Sequence, residues 1–321
     1  MKITVFGAGA IGGHLAARFG QLPENHVSVV DKGEQLARIR ANGIELCVGD
    51  VRYHAKVNAV DSVDALDAQD LAIVALKSHF LPGAAAELQK LCARAATIVF
   101  AGNGIPWWYG YGNDRKDAAL AAALDPARLR ERVEGRKIVG CVIYSPNAVI
   151  APGVVRCASE KSRFLLGPAF PDAVPACASA AEAFVAAGMS VEQKTDLRPE
   201  IWKKLLLNAS LSPVATLVMG GNHDVVGDEN LRQLCVHILH ELLATAKADD
   251  IDLTADEHLF DADRLPPHKP SMLQDLEAGR PLEIDSILQA VQTIARTVQV
   301  ATPMLDMVTS LIVSRDRLRR K

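Results

Sequence analysis

The stretch "MKITVFGAGAIGGHLAARFG", Met1–Gly20, decides the fold. An apolar run of strand length leads into "GAGAIG" at Gly7–Gly12, and "GHLAARFG" then has helical character. In such a strand–loop–helix unit the first glycine permits the tight turn and the second lets backbone approach a pyrophosphate. The third allows helix and strand to pack closely. The helix N-terminus supplies free N–H donors for the phosphates. A G-x-G-x-x-G alone is a weak signal. Set between the first strand and the first helix, it predicts dinucleotide binding by Gly7, Ala8, Gly9, Ala10, Ile11 and Gly12.

Outward from this unit, "HVSVVDK", "LAIVALK", "TIVFAGNG" and "KIVGCVIYS" recur with helical segments between them. Near-continuous Val/Ile/Leu runs alternating with helices are what a parallel sheet covered on both faces requires. Shorter runs, "GVVRCA", "RFLLGPA" and "MSVEQKT", are expected to extend that sheet, and "ACASAAEAFVAAG" reads as a helix closed by Gly188. After about Asp196 the pattern becomes helical, with apolar residues at three- and four-residue intervals through "LRPEIWKKLLLNASLSPVATLV" and three further segments. Thr302 is the expected N-cap of the last, followed by Pro303 at its first position. The expected class is α/β: an N-terminal Rossmann-type dinucleotide-binding domain (residues 1–195), then an all-α C-terminal domain (residues 196–321). "RKDAALAAALDPARLRERVEGRK" predicts a polar helical excursion.

A length of 321 residues favours two domains, and 49% hydrophobic residues leave ample material for their cores. The net charge of -3 argues against a nucleic-acid partner. No segment approaches the roughly 20 unbroken apolar residues of a membrane span. The first strand begins without a leader, and six cysteines are scattered with no C-x-x-C pair, so reduced thiols in a cytoplasm are expected. His237 and His240 lack an acidic partner at metal-ligand spacing, and no metal is expected.

Several polar residues stand where a cofactor or substrate would be met. Asp31 ends the second strand; a carboxylate there bonds the ribose of NAD and repels the extra phosphate of NADP. Lys32, next to it, could pair with that phosphate. Lys77 and Asn103 close "LAIVALK" and "TIVFAGNG" at the strand edge where such sheets bind ligands. "NGIPWWYGYG" gathers Trp107, Trp108, Tyr109 and Tyr111 into a Gly-rich loop, read equally as a substrate lid or a subunit contact. In "WKKLLLNASLSP", Lys204, Asn208 and Ser212 stand four residues apart and share one helix face, whereas Lys203 falls on another. Ser271 and Glu283, in "PSMLQDLEAGRPLEID", read by themselves as a surface serine and a first-turn helix carboxylate.

Taken together, these blocks resemble the ketopantoate reductases, along nearly the whole chain. "WKKLLLNASLSP" and "SMLQDLEAGRPLEID" are the specific parts. The resemblance implies NADPH-dependent reduction of 2-dehydropantoate to (R)-pantoate for coenzyme A, with NADP as cofactor and NAD as the alternative. It further implies a small-molecule 2-oxo acid partner, assigns substrate binding and dimerisation to the C-terminal domain, and is compatible with a homodimer. Lys204 becomes the general acid and Glu283 the carboxylate at the reacting centre. Asn103, Asn208, Ser212 and Ser271 become substrate contacts, and Lys77, Asn103, Asp31 and Lys32 join the cofactor set. Two departures stand out: Ser212 replaces an asparagine of the family pattern, and the aromatic loop is unlike the plainer Asn-Gly segment expected. They leave open a paralogue reducing another 2-oxo acid. A separate alternative is a dinucleotide-binding regulator without turnover, against which the retention of Lys204, Asn208, Ser271 and Glu283 together argues.

Overall fold

Residues Ile3–Phe6 are all buried, as a central strand covered on both faces requires. The computed structural model describes residues 1–111, 118–265 and 268–320. It divides into one unit of Met1–Gly102 with Asp125–Leu197 and a second of Asn103–Leu124 with Arg198–Lys321.

The strands of the first unit are, in chain order, β1 (Lys2–Phe6), β2 (His26–Val30), β3 (Ile44–Val48), β4 (Val51–Ala55), β5 (Asn58–Val60) and β6 (Gln69–Val74). The remaining strands are β7 (Ala95–Ala101), β8 (Ile138–Tyr144), β9 (Asn147–Ala151), β10 (Val154–Cys157), β11 (Arg163–Pro168) and β12 (Ser190–Gln193). The helices of both units are α1 (Ala10–Phe19), α2 (Gly33–Asn42), α3 (Leu81–Arg94), α4 (Ala118–Leu124), α5 (Val174–Ala186) and α6 (Arg198–Val218). They continue with α7 (Asn222–Val226), α8 (Glu229–Ala248), α9 (Ser271–Glu277), α10 (Ala290–Thr297) and α11 (Pro303–Arg319).

The main sheet has the order β12-β11-β8-β7-β6-β1-β2-β5 and is parallel except where β11 runs against β8. Strand order reverses at β1, flanked by β2 and β6, so a ligand crevice is expected outside the carboxyl ends of these strands. A second sheet, β4-β3-β10-β9, was not legible in the sequence. It takes "GVVRCA" as β10, beside β3, so that run does not extend the main sheet as expected; β11 and β12 do. The second sheet covers the side of α1 that faces away from β1. A Cβ at Gly13 would meet the Val155 side chain at 2.7 Å, and one at Gly20 would meet Ala55 at 2.5 Å. This explains why α1 is buried nearly all round.

In the second unit α6 is the central element: Trp202, Leu205, Ala209, Val214 and Ala215 are among its buried residues, and it packs on α7, α8, α9 and α11. It continues through Pro213, whose missing N–H leaves the Ala209 carbonyl without its usual helical donor. The expected polar excursion is corrected: residues 115–117 lie outside the described residues, and the chain from Ala118 forms the short α4, with Leu120 and Leu124 buried. Thr302 precedes α11 but makes no side-chain cap. The carboxylate of Glu241 on α8 takes that role, accepting the Met304 and Leu305 N–H groups at 2.9 Å each.

Removing this long-range cap by Glu241→Ala is expected to lower the unfolding free energy by about 0.5–2 kcal/mol, the cost of a lost N-cap. Urea denaturation of wild type, Glu241→Ala and Glu241→Gln checks it, the glutamine losing less. Equal midpoints for all three would show that the carboxylate does not cap α11.

Candidate active site

In the first unit the glycine loop turns directly off β1. Gly7 has φ +91°, and a Cβ there would meet Leu76 at 2.8 Å, so the loop lies against the Ala75–Lys77 segment next to β6. Lys77 follows Leu76 directly in this segment. A Cβ at Gly12 would meet the Gly7 carbonyl oxygen at 1.8 Å, which closes helix on strand, whereas above Gly9 nothing lies within 4 Å. Helix α1 starts at Ala10 with no side-chain cap on its first N–H groups. Open space over Gly9 and uncapped donors fit a dinucleotide pyrophosphate.

Asp31 has a second task beside any ribose contact. Its carboxylate accepts the Ala8 N–H and the Lys32 N–H, both at 2.7 Å, so it braces the glycine loop. Gln35, a residue that sequence reasoning missed, completes the brace: its amide nitrogen donates to the Ala8 carbonyl at 2.6 Å and its oxygen accepts the Gly153 N–H at 3.1 Å. Only its place two residues into α2 could have drawn attention to it. Lys32 is exposed, and its ammonium has no ion-pair partner among the described residues.

In the second unit the structure brings together three residues far apart in the chain. Lys204 Nζ donates to Asn103 Oδ1 at 2.7 Å, and Asn103 Nδ2 donates to Glu283 Oε2 at 3.4 Å, a long bond. Glu283 is buried and Lys204 is half-buried. Lys203 instead pairs with Glu200 at 2.9 Å on the exposed side of α6, so the helix geometry separates the adjacent lysines. Asn208, one turn beyond Lys204, is half-buried, and its carboxamide makes no hydrogen bond to any described residue. Ser212 is buried further along α6, and its carbonyl accepts from the Thr216 hydroxyl at 2.7 Å. Ser271 is exposed at the first position of α9. No hydrogen bond among the described residues joins the side chains of Ser212 or Ser271 to the Asn103–Lys204–Glu283 set.

Turn chemistry holds Asn103 in place. Gly104 has φ +78°, and a Cβ there would meet the Ser286 carbonyl oxygen at 2.4 Å. That oxygen accepts the Ile105 N–H at 2.8 Å. It is available because Asp285–Gln289 forms a π-turn: the Ala290 N–H bonds Asp285 rather than Ser286. The segment beginning two residues after Glu283 is thus stitched to the segment beginning at Asn103.

The aromatic loop is neither a lid nor an exposed subunit contact. Trp107, Trp108 and Tyr109 are 4%, 5% and 1% exposed, part of the core of the helical unit. Their clustering in a Gly-rich segment suggested exposure, but these rings pack inward. Gly110 has its Cα face against Ala121 of α4, and the Tyr109 hydroxyl meets Trp202 of α6 and Asp249 at the end of α8.

A parallel sheet with a braced glycine loop, and a helical unit carrying a lysine–amide–carboxylate set, define a dinucleotide-binding oxidoreductase. The family model described as ketopantoate reductase PanE/ApbA matches residues 3–169, and its C-terminal counterpart matches residues 196–315. A 2-dehydropantoate 2-reductase of Mesorhizobium japonicum is 36% identical over 316 residues, 97% of each chain. One from Pyrococcus abyssi is 24% identical over the full length of both. The crystal structure of a candidate ketopantoate reductase from Ralstonia solanacearum MolK2 superposes with a TM-score of 0.90 at 30% identity, covering 99% of this chain and 98% of that one. The chain belongs to the ketopantoate reductase family.

Gly104→Ala is expected to lower the unfolding free energy by about 1–3 kcal/mol, because the methyl group meets backbone and φ is positive. Gly102→Ala, whose added Cβ meets nothing within 4 Å, is the control and should be silent. Thermal unfolding of the two variants checks this; equal midpoints would mean the turn tolerates a side chain.

Proposed function

We propose that this chain reduces 2-dehydropantoate to (R)-pantoate with NADPH, and that Lys204 is its general acid. The observation that carries the reading is the Lys204–Asn103 hydrogen bond. It orients a half-buried ammonium through a neutral acceptor, which itself cancels none of the charge a substrate oxygen would meet. When bound, the reduced nicotinamide supplies hydride to the carbonyl carbon of the 2-oxo acid. Gly7–Gly12 would hold the pyrophosphate, and Lys32 would pair with the 2′-phosphate that distinguishes NADPH.

The chain's own residues then handle charge and proton. As the carbonyl oxygen gains negative charge, the Lys204 ammonium stabilises it and delivers a proton to it. Asn103 orients that ammonium. Glu283, reached through Asn103, holds the amide's rotamer and can accept a substrate hydroxyl. Asn208, with an unused carboxamide one turn along the same face, is suited to bond the substrate's oxygen atoms. Ser271 and Ser212 would contact its outer parts, the serine hydroxyl of the latter being shorter than the amide of the family pattern. The six described cysteines are free and buried, which supports work in a reducing compartment, the cytoplasm. No described helix is long and apolar enough to cross a membrane.

Oxidation of NADPH by the wild-type protein against a panel of 2-oxo acids tests the reading, with 2-dehydropantoate expected to be turned over best; no turnover of it would overturn the assignment. Lys204→Ala is expected to lower kcat by roughly 100- to 10,000-fold, the range for a lost general acid. Lys203→Ala should stay near wild type, and equal effects in the two would remove the special role of Lys204.

For the cofactor, Lys32→Ala is expected to raise KM for NADPH about tenfold or more while leaving that for NADH within twofold, as loss of one charged phosphate contact implies. A parallel change for both nucleotides would mean Lys32 does not read the phosphate.

A further inference from the structure

The buried aromatic residues after Asn103 have no place in the chemistry of hydride and proton transfer, yet one of them joins the two segments that chemistry needs. Tyr109 stands six residues beyond Asn103, and Trp202 stands two residues before Lys204. Trp202 Nε1 donates to the Tyr109 hydroxyl at 2.7 Å, and that hydroxyl donates in turn to Asp249 Oδ2. All three side chains are buried.

The arrangement is costly unless complete. Asp249 closes the C-terminal end of α8, and a buried carboxylate there needs hydrogen-bond donors. The Tyr109 hydroxyl is one such donor. Burial and the Asp249 carboxylate push the Tyr109 hydroxyl well above the usual tyrosine range, so it remains a donor throughout the neutral range. Arg198, at the start of α6, is the cation acting on Tyr109 in the opposite sense.

Between Asn103 and Tyr109 the chain has little slack. The Ile105 N–H is bonded to Ser286, and the Tyr109 N–H closes a turn on the Pro106 carbonyl at 3.0 Å. Tyr111 repeats the turn on Trp108, and its ring stands edge-on to Trp107 with centroids 6.2 Å apart. The connection from Asn103 to Tyr109 is thus short and ordered by backbone hydrogen bonds, which is the route by which Tyr109 would act on Asn103.

We propose that Tyr109 is a positioning residue: bridging Trp202 and Asp249, it locks the loop carrying Asn103 to the helix carrying Lys204 and so keeps the Asn103–Lys204 hydrogen bond in register. This rests on the general-acid role proposed for Lys204. The network also accounts for an aromatic loop where a plainer segment would close the turn. Trp107 and Trp108, just before Tyr109 in the chain, are buried as well.

Tyr109→Phe keeps the ring and removes the bridge. A misplacement of reacting groups by about 1 Å costs on the order of 100-fold in rate. The expected outcome is a tenfold to hundredfold fall in kcat per folded molecule, with KM for NADPH within twofold of wild type. Crystal structures of both forms should show the Lys204 Nζ to Asn103 Oδ1 separation growing from 2.7 Å to beyond hydrogen-bond range in the variant. Asp249→Asn retains an acceptor for the hydroxyl and is expected to recover most of the activity that Asp249→Ala loses. If Tyr109→Phe merely lowers the unfolding temperature, with the separation unchanged and kcat per folded molecule equal to wild type, the proposal is wrong. Should wild type reduce no 2-oxo acid, the functional reading fails by itself, while the separation still decides whether Tyr109 positions Asn103.

Discussion

Everything proposed for the reaction depends on where one ammonium group is held. Lys204 sits on a helix whose neighbours are buried, and a half-buried cation needs acceptors or its charge is costly. A carboxylate in the place of the Asn103 amide would satisfy it but would also neutralise much of its potential, as Glu200 does for Lys203 one residue away. The Asn103 carbonyl oxygen orients the ammonium without adding opposite charge. A hydrogen bond to a charged group is worth about 1.5–3 kcal/mol, enough to select one rotamer of a long side chain. Asn103 is held in turn by Glu283 through its amide nitrogen and by the Gly104–Ile105 turn through the backbone.

A comparable constraint shapes the glycine loop. Asp31 is usually read as a reporter of cofactor type, yet here both carboxylate oxygens accept backbone N–H groups, one of them from the loop itself. A residue already engaged in this way repels a 2′-phosphate less effectively than a free carboxylate would. Lys32 is exposed and without an ion-pair partner among the described residues, which is why the proposed function assigns the phosphate to it. Asp31 thus has a bracing role that its place in the sequence did not announce, and recognition of the phosphate by Lys32 is the part that the proposed function adds.

Local signals were legible and long-range ones were not. The first strand, glycine loop and first helix succeed one another in the chain, so spacing alone located them. The four-residue spacing of Lys204, Asn208 and Ser212 placed them on one helix face, because helical geometry is periodic. The second sheet escaped notice because β3, β4, β9 and β10 are short and are assembled from two distant stretches of chain. Thr302 holds the N-cap position of α11 as expected, but its side chain makes no cap bond, and nothing in the local sequence announces that Glu241 supplies the acceptors. Clustered aromatics beside glycines look like an exposed loop until Trp202 and Asp249 are seen to close over Tyr109. Likewise, the grouping of residues 103–124 with the helices of the second unit depends on packing that no run of sequence encodes.

A crystal structure of the protein with NADP and pantoate tests the account most directly, because the product carries the oxygen that Lys204 is said to protonate. The account requires that hydroxyl oxygen to lie within hydrogen-bond distance of Lys204 Nζ, with Asn103 still bonded to the lysine and the Asn208 carboxamide on the ligand. Pantoate bound with its 2-hydroxyl away from Lys204, or held by residues other than this set, would contradict it.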